Sequence, residues 1–172
     1  MISQNHPNRV LEIGCGPGIW LSALESQYDV TGLDIRMDIL RVARANSNAE
    51  LIRADACRLP VRADCYDMIM GIDVLEHVVD DAKFLDETLR ALKPNGNLLI
   101  TTLIQERKGY VRKFVFEDHV REYSSEGIQK KLREAGFRVV NISHFYGPLQ
   151  TTAREWASFF ENRRFIGPFV ML

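Results

Sequence analysis

Residues 9–18 read Arg9-Val10-Leu11-Glu12-Ile13-Gly14-Cys15-Gly16-Pro17-Gly18, a β-rich run broken by three alternate glycines. The stretch 9–13 reads as a strand, and the glycines behind it as a tight turn. Without a Cβ, such a turn also lets a ligand come close to the backbone. Pro17 is expected early in a helix that continues to about residue 26, where its missing N–H would be unpaired anyway. A strand, a glycine turn and a helix begin an alternating chain.

The alternation continues along the sequence. Residues 28–33 predict a second strand, and the helix after it carries Ile39, Leu40, Val42 and Ala43 on one side. Residues 50–54 predict a short third strand. Residues 66–72 form a near-continuous apolar run, as expected of a strand covered on both faces. The helix over 81–92 places Phe84, Leu85, Thr88, Leu89 and Leu92 on one stripe, and Lys93-Pro94-Asn95-Gly96 stops it. A fifth strand over 97–103 follows. A helix starting at Ser124 or Ser125 ends at Gly136, and a sixth strand runs over 137–145. The fold expected is α/β: a doubly wound, Rossmann-like, mostly parallel sheet with helices on both faces.

Composition fits one domain over residues 1–172. Of the 172 residues, 46% are hydrophobic and 26% charged, which excludes a disordered tail or a disulfide miniprotein. Lys+Arg is 22 against Asp+Glu 23, so the basic excess of a nucleic-acid-binding domain is missing. No apolar run approaches the roughly 20 residues of a membrane span. The start of the chain lacks a signal-peptide pattern. Cys15, Cys57 and Cys65 form no CxxC pair and read as reduced thiols of a cytoplasmic protein, without a zinc site.

The turn is the natural seat of a nucleotide, because open α/β sheets bind ligands beyond the carboxyl ends of their strands. The dinucleotide pattern GxGxxG would need a small residue at position 19, where Ile19 stands, so a pyrophosphate cradle is disfavoured. Asp34, at the end of the second strand and about 20 residues past the first glycine, can accept hydrogen bonds from two ribose hydroxyls. Ile35 offers an apolar face to a purine. Asp55, after the third strand, is placed to accept from an exocyclic amine.

Residues 10–18 (VLEIGCGPG), Leu33-Asp34-Ile35, Asp55-Ala56 with Leu59-Pro60, 67–77 (DMIMGIDVLEH) and 92–102 (LKPNGNLLITT) resemble the class I S-adenosylmethionine-dependent methyltransferases. The likeness is to the small-molecule branch around the ubiquinone and menaquinone methylases. Residues 119–137 (HVREYSSEGIQKKLREAGF) also resemble that branch, and the similarity spans about residues 9–145. The resemblance implies S-adenosylmethionine as cofactor and a small-molecule methyl acceptor. It further implies that the backbone of Gly14, Cys15 and Gly16, followed by Gly18, lines the methionine part. Glu12 would brace that turn, Asp34 would hold the ribose, and Asp55 with Ala56 would meet the adenine. Ile72 and Asp73 would sit beside the sulfonium and amino group.

Asp73, Glu76 and His77 resemble the two acids and a histidine that some members of the quinone branch space to hold a divalent cation, but hard cations prefer oxygen ligands, and no metal is expected. His119, ahead of His77, is the candidate base. Tyr110, Tyr123 and Tyr146 are candidate walls for the acceptor. Arg107, Lys108, Arg112 and Lys113 lie in a candidate lid over 104–122. Residues 147–172 read as an amphipathic helix and an apolar tail. In that tail the final antiparallel strand of the family is either short or missing, and its apolar character favours a homodimer or a partner protein. Few residues precede the first strand, which leaves open a cofactor-binding scaffold or activator subunit. A nicotinamide-dependent oxidoreductase is disfavoured by Ile19, and a macromolecular acceptor stays open.

Overall fold

The computed structural model describes residues 8–102, 104 and 120–143. Five strands, β1 (Arg9–Ile13), β2 (Asp29–Asp34), β3 (Glu50–Arg53), β4 (Tyr66–Ile72) and β5 (Leu92–Thr101), form one sheet in the order β3-β2-β1-β4-β5. Every ladder is parallel. The helices among the described residues are α1 (Ile19–Leu24), α2 (Met37–Asn46), α3 (Asp81–Ala91) and α4 (Ser125–Glu134), with a 3-10 turn at Leu75–His77.

Strand pleating decides which helix covers which face. Successive side chains of β1 point to opposite sides. Leu11 and Ile13 enter a core with Phe84 and Leu85 of α3 and Ile128 and Leu132 of α4. Val10 enters the other core, with Leu21 and Leu24 of α1 and Leu40 of α2. The sheet is therefore doubly wound. Its order reverses between β1 and β4, and the carboxyl ends of these two strands form the crevice where such sheets take ligands.

Several elements depart from the sequence expectation. Pro17 stays in the turn, because Gly18 in the left-handed region precedes the first helical residue, Ile19. In α2 the buried line is Leu40 and Ala43, whereas Val42 is exposed. At 100° per residue Val42 falls well off that line. Pairing of β5 with β4 begins at Leu92, opposite Tyr66, and resumes with Asn97 opposite Met68. The expected turn at residues 93–96 is thus an outward bulge within the strand, with Asn95 at φ +65°. Asp67 ties the region together by accepting from the Arg9 amide at 3.0 Å and from Lys93 Nζ at 2.9 Å.

Helix α4 is closed at both ends by its own sequence. Ser124 Oγ accepts from the Gly127 amide at 3.0 Å. At the other end Gly136, at φ +94°, allows its amide to reach Arg133 O and the Phe137 amide to reach Leu132 O. This double return is the Schellman arrangement, with Phe137 buried as its apolar anchor. Phe137 thereby serves the helix end, and residues 137–143 carry no strand pairing where a sixth strand is expected. Ser124→Ala is expected to cost about 1 kcal/mol of stability, measurable as a lowered urea midpoint at unchanged slope. Most of the 104–122 stretch and all of residues 147–172 lie outside the described residues. Among the described residues no helix is long and apolar enough to cross a membrane.

Candidate functional site

The turn after β1 holds three glycines in the left-handed region, Gly14 at φ +70°, Gly16 at +52° and Gly18 at +81°. L side chains rarely adopt such values. At Gly14 a Cβ would come within 2.7 Å of Val74 Cγ2, so the turn lies hard against the segment that follows β4. At Gly16 a Cβ would meet nothing within 4 Å. There the backbone faces open space.

Leu33 and Asp34 hold this turn through hydrogen bonds. The Leu33 carbonyl accepts from the Gly14 amide at 2.7 Å and the Cys15 amide at 3.0 Å. Asp34 Oδ2 accepts from the Gly16 amide at 3.1 Å, and Oδ1 from the Arg36 amide at 2.9 Å. Each carboxylate oxygen has two acceptor sites, so Asp34 can brace the turn and still accept from ligand hydroxyls. Ile35 beside it is 61% exposed, an apolar surface open to a ring. Asp55 is exposed and accepts from the Cys57 amide at 2.8 Å, next to the half-buried Ala56.

Glu12 is buried under the turn, and among the described residues its Oε2 has no hydrogen-bond partner. Burial, followed by the charge of Asp34, pushes its pKa up to about 8. Burial, with the charges of Glu12 and Asp34, likewise pushes the Cys15 thiol up to about 12. A thiol held protonated in this way is a poor nucleophile.

Across the crevice, Ile72 is half-buried and Asp73 sits at φ +50°. Thr101 holds that unusual backbone: its hydroxyl accepts from the Asp73 amide at 2.9 Å and donates to Asp73 Oδ1 at 2.7 Å. Thr101 pairs with Ile72 at the end of β5, and a hydroxyl at that position was the only sequence signal for its role. Glu76 is buried; its Oε2 accepts from Thr102 Oγ1 at 3.0 Å, and its carbonyl from the Val120 amide at 2.9 Å. Burial raises its pKa. His77 is exposed in the same 3-10 turn. Asp73 and Glu76 thus turn to different threonines, and among the described residues no three His, Cys, Asp or Glu side chains gather as a metal-holding group.

Tyr123, expected as an acceptor wall, is buried and donates to Asp81 Oδ2 at 2.8 Å. Arg121 and Lys131 pair with the same carboxylate, so Tyr123 belongs to a clamp that sequence reading missed. His119, Tyr110 and Tyr146 lie outside the described residues. The structure brings Glu12, Gly14, Cys15, Gly16, Gly18, Asp34 and Ile35 together around one turn, with Ile72 at the end of β4 and Asp73 just after it on the neighbouring strand's side.

A family model for a methyltransferase domain matches residues 2–142. A ubiquinone biosynthesis O-methyltransferase of Hydrogenovibrio crunogenus is 33% identical over 110 residues, covering 59% of this chain and 45% of that protein. The chain therefore spans less than half the length of that relative. Among solved structures, a proposed methyltransferase of Bacillus halodurans is similar with a TM-score of 0.71 and 26% identity. The match covers 78% of this chain and 64% of the other. A Haemonchus contortus phosphoethanolamine N-methyltransferase, in complex with phosphomonomethylethanolamine and S-adenosylhomocysteine, is similar with a TM-score of 0.67 and 25% identity. That match covers 76% of this chain and 33% of the other.

Proposed function

The chain belongs to the methyltransferase-domain family, and we propose that it transfers a methyl group from S-adenosylmethionine to a small-molecule acceptor. The observation that carries this reading is the glycine turn at the β1–β4 crevice, opened outward at Gly16 and braced by Asp34. The residues present fit the cofactor chemically. A carboxylate suits ribose hydroxyls, an exposed isoleucine suits an adenine face, and an unpartnered buried oxygen, Glu12 Oε2, suits a cationic group.

When bound, the cofactor supplies an electrophilic methyl group on a sulfonium. The chain's own residues then have three tasks. The backbone of Gly14, Cys15 and Gly16 would line the methionine part. Asp34 would fix the ribose, with Ile35, Asp55 and Ala56 around the adenine. Ile72 and Asp73, in a backbone locked by Thr101, would border the reacting end. Orientation of this kind can supply roughly 7–11 kcal/mol of the barrier. An acceptor that must lose a proton would find a base in His119 or in His77, which stands exposed beside Glu76. We further read the protein as cytoplasmic, from three cysteines none of which is in a disulfide.

Calorimetric titration with S-adenosylmethionine, S-adenosylhomocysteine and NAD tests this proposal. The expected result is micromolar binding of both sulfur compounds and none of NAD. Binding of NAD with neither sulfur compound would replace the reading with that of an oxidoreductase. Binding of the sulfur compounds without methyl transfer across an acceptor panel would favour a scaffold subunit.

A further inference from the structure

Residues 54–65 join β3 to β4 without helix or strand, and they begin with Ala54, Asp55 and Ala56, the last two read above as the adenine edge. Backbone groups in such a stretch have no ladder partner and must be satisfied from elsewhere. At its start, the Ala54 amide donates to the Asp34 carbonyl at 3.1 Å. Asp55 then closes a turn on itself. Its Oδ1 accepts from the Cys57 amide at 2.8 Å, and its carbonyl from the Arg58 amide at 2.9 Å. The groups that seat this turn lie on α3.

Glu87 and Arg90 stand one helical turn apart on α3, and the Glu87 side chain is only 13% exposed. The guanidinium grips both carboxylate oxygens, Nε donating to Oε1 at 3.2 Å and Nη2 to Oε2 at 2.8 Å. It also reaches the loop, where Nη1 donates to the Val61 carbonyl at 2.8 Å and Nη2 to the Leu59 carbonyl at 3.1 Å. Glu87 Oε2 in turn accepts from the Leu59 amide at 3.0 Å. One ion pair therefore holds the amide and carbonyl of Leu59 and the carbonyl of Val61. Leu59 is buried in the core beneath, and Pro60 disfavours a helical backbone at Leu59. Nearer the turn, Cys57 Sγ donates to the Asp80 carbonyl at 3.4 Å. The loop is laid on α3 as on a template, and a planar fork of this kind has no equivalent in an ammonium group.

We propose that Glu87 and Arg90 are positioning residues for base recognition: by fixing residues 59–61 on α3 they seat the Asp55 carboxylate where it accepts from the exocyclic amine of adenine. Neither touches the ligand. The inference rests on the cofactor reading above. An ionised carboxylate accepts hydrogen bonds and donates none, so it attracts an amine at the base edge and repels a carbonyl oxygen in the same place. That choice depends on where the carboxylate stands. The glycine turn is held by other bonds, from the Leu33 carbonyl and the Asp34 carboxylate, so the rest of the ligand is gripped without help from α3.

The experiment is calorimetric titration of the whole chain with S-adenosylhomocysteine and S-inosylhomocysteine, which carry an amine and a carbonyl oxygen at the same place on the base. The unaltered chain is expected to favour the adenine compound by roughly 10- to 100-fold, the range for one hydrogen bond to a charged group. Asp55→Ala should abolish that preference and so mark its limit. Arg90→Ala should cut it by roughly 3- to 10-fold, as expected of groups coupled through one network. It should do so by weakening the adenine compound while the inosine compound binds nearly as before. Arg90→Lys keeps a charge beside Glu87 but reaches fewer carbonyls, and should fall between. An equal loss of affinity for both compounds in Arg90→Ala overturns the proposal, because a general loosening would not choose between bases. If Arg90→Ala fails to fold, Arg90→Lys decides, and an unchanged preference there overturns it. Equal binding of the two compounds by the unaltered chain, or a preference that survives Asp55→Ala, also overturns the role of the pair and leaves the cofactor reading standing. No binding of either compound removes both.

Discussion

Asp34→Ala is expected to weaken S-adenosylhomocysteine binding by roughly 100-fold or more while leaving the chain folded. The size follows from two hydrogen bonds to a charged acceptor, each worth about 1.5–3 kcal/mol, against about 1.4 kcal/mol per factor of ten in affinity. The variant also frees the Gly16 and Arg36 amides that the carboxylate now holds, so the turn loses order before any ligand arrives. The fold should survive, because the Asp34 carbonyl still accepts from Ala54 N and the Leu33 carbonyl still holds Gly14 and Cys15. Asp34→Asn separates the two roles. It keeps one oxygen for a backbone amide but loses the charge and one acceptor, so an intermediate affinity is expected. Calorimetry on both variants, with thermal melts as a control on folding, makes the comparison. Full affinity in Asp34→Ala would exclude the carboxylate from ribose binding.

The same carboxylate shows what a sequence can and cannot convey. Gly14, Gly16, Gly18 and Asp34 are legible because each answers a local demand: a left-handed turn, and an acid at a strand end beside it. The strands are legible for a similar reason, since the near-continuous apolar run over 66–72, broken by Asp67 near its start, suits a strand covered on both faces. Hidden from the sequence is the second use of each group. Nothing local reveals that Asp34 holds the Gly16 amide, or that Thr101 locks Asp73 from a neighbouring strand. Val42 shows the limit of periodicity, since the apolar pattern of α2 is wider than the face the sheet can cover. Residue 137 shows competition between uses. Phe137 looks like the start of a strand, yet its side chain is taken by the helix end that Gly136 closes. Glu12 is a subtler case. The resemblance implies a brace, whereas among the described residues burial leaves it with an unmet oxygen, and that property depends on every neighbour at once.

The other large effect is expected far from the turn. Asp81→Ala should destabilise the protein by about 3 kcal/mol, at the low end for one partner of a buried charge cluster. Asp81 lies at the start of α3 with only 5% of its side chain exposed. It accepts from Lys131 Nζ at 2.8 Å and Tyr123 Oη at 2.8 Å, and it pairs with Arg121. These partners stand 40 to 50 residues along the chain, so the cluster fastens residues 121–123 and α4 onto α3. Its loss strands a buried tyrosine hydroxyl and two cations. Those cations are partly exposed, and water softens their penalty. Burial alone would raise the pKa of Asp81, but the hydrogen bonds from Lys131, Tyr123 and Arg121 outweigh it and hold the carboxyl below its usual range. The sign for stability follows. An acid whose folded pKa is depressed stabilises the fold above its unfolded value, near 4, and that contribution fades as pH falls through the folded value. The gap between the unaltered chain and Asp81→Ala should therefore be widest near pH 7 and narrow below pH 4, as read from urea midpoints. Asp81→Asn, which can still accept from Tyr123, should fall between them. An equal gap at pH 7 and pH 3 would show that Asp81 acts by packing alone. The Val120 amide donates to the Glu76 carbonyl, so loosening this clamp also loosens a tie to the 3-10 turn that carries His77. The same variant should then impair turnover more than it impairs binding of S-adenosylhomocysteine.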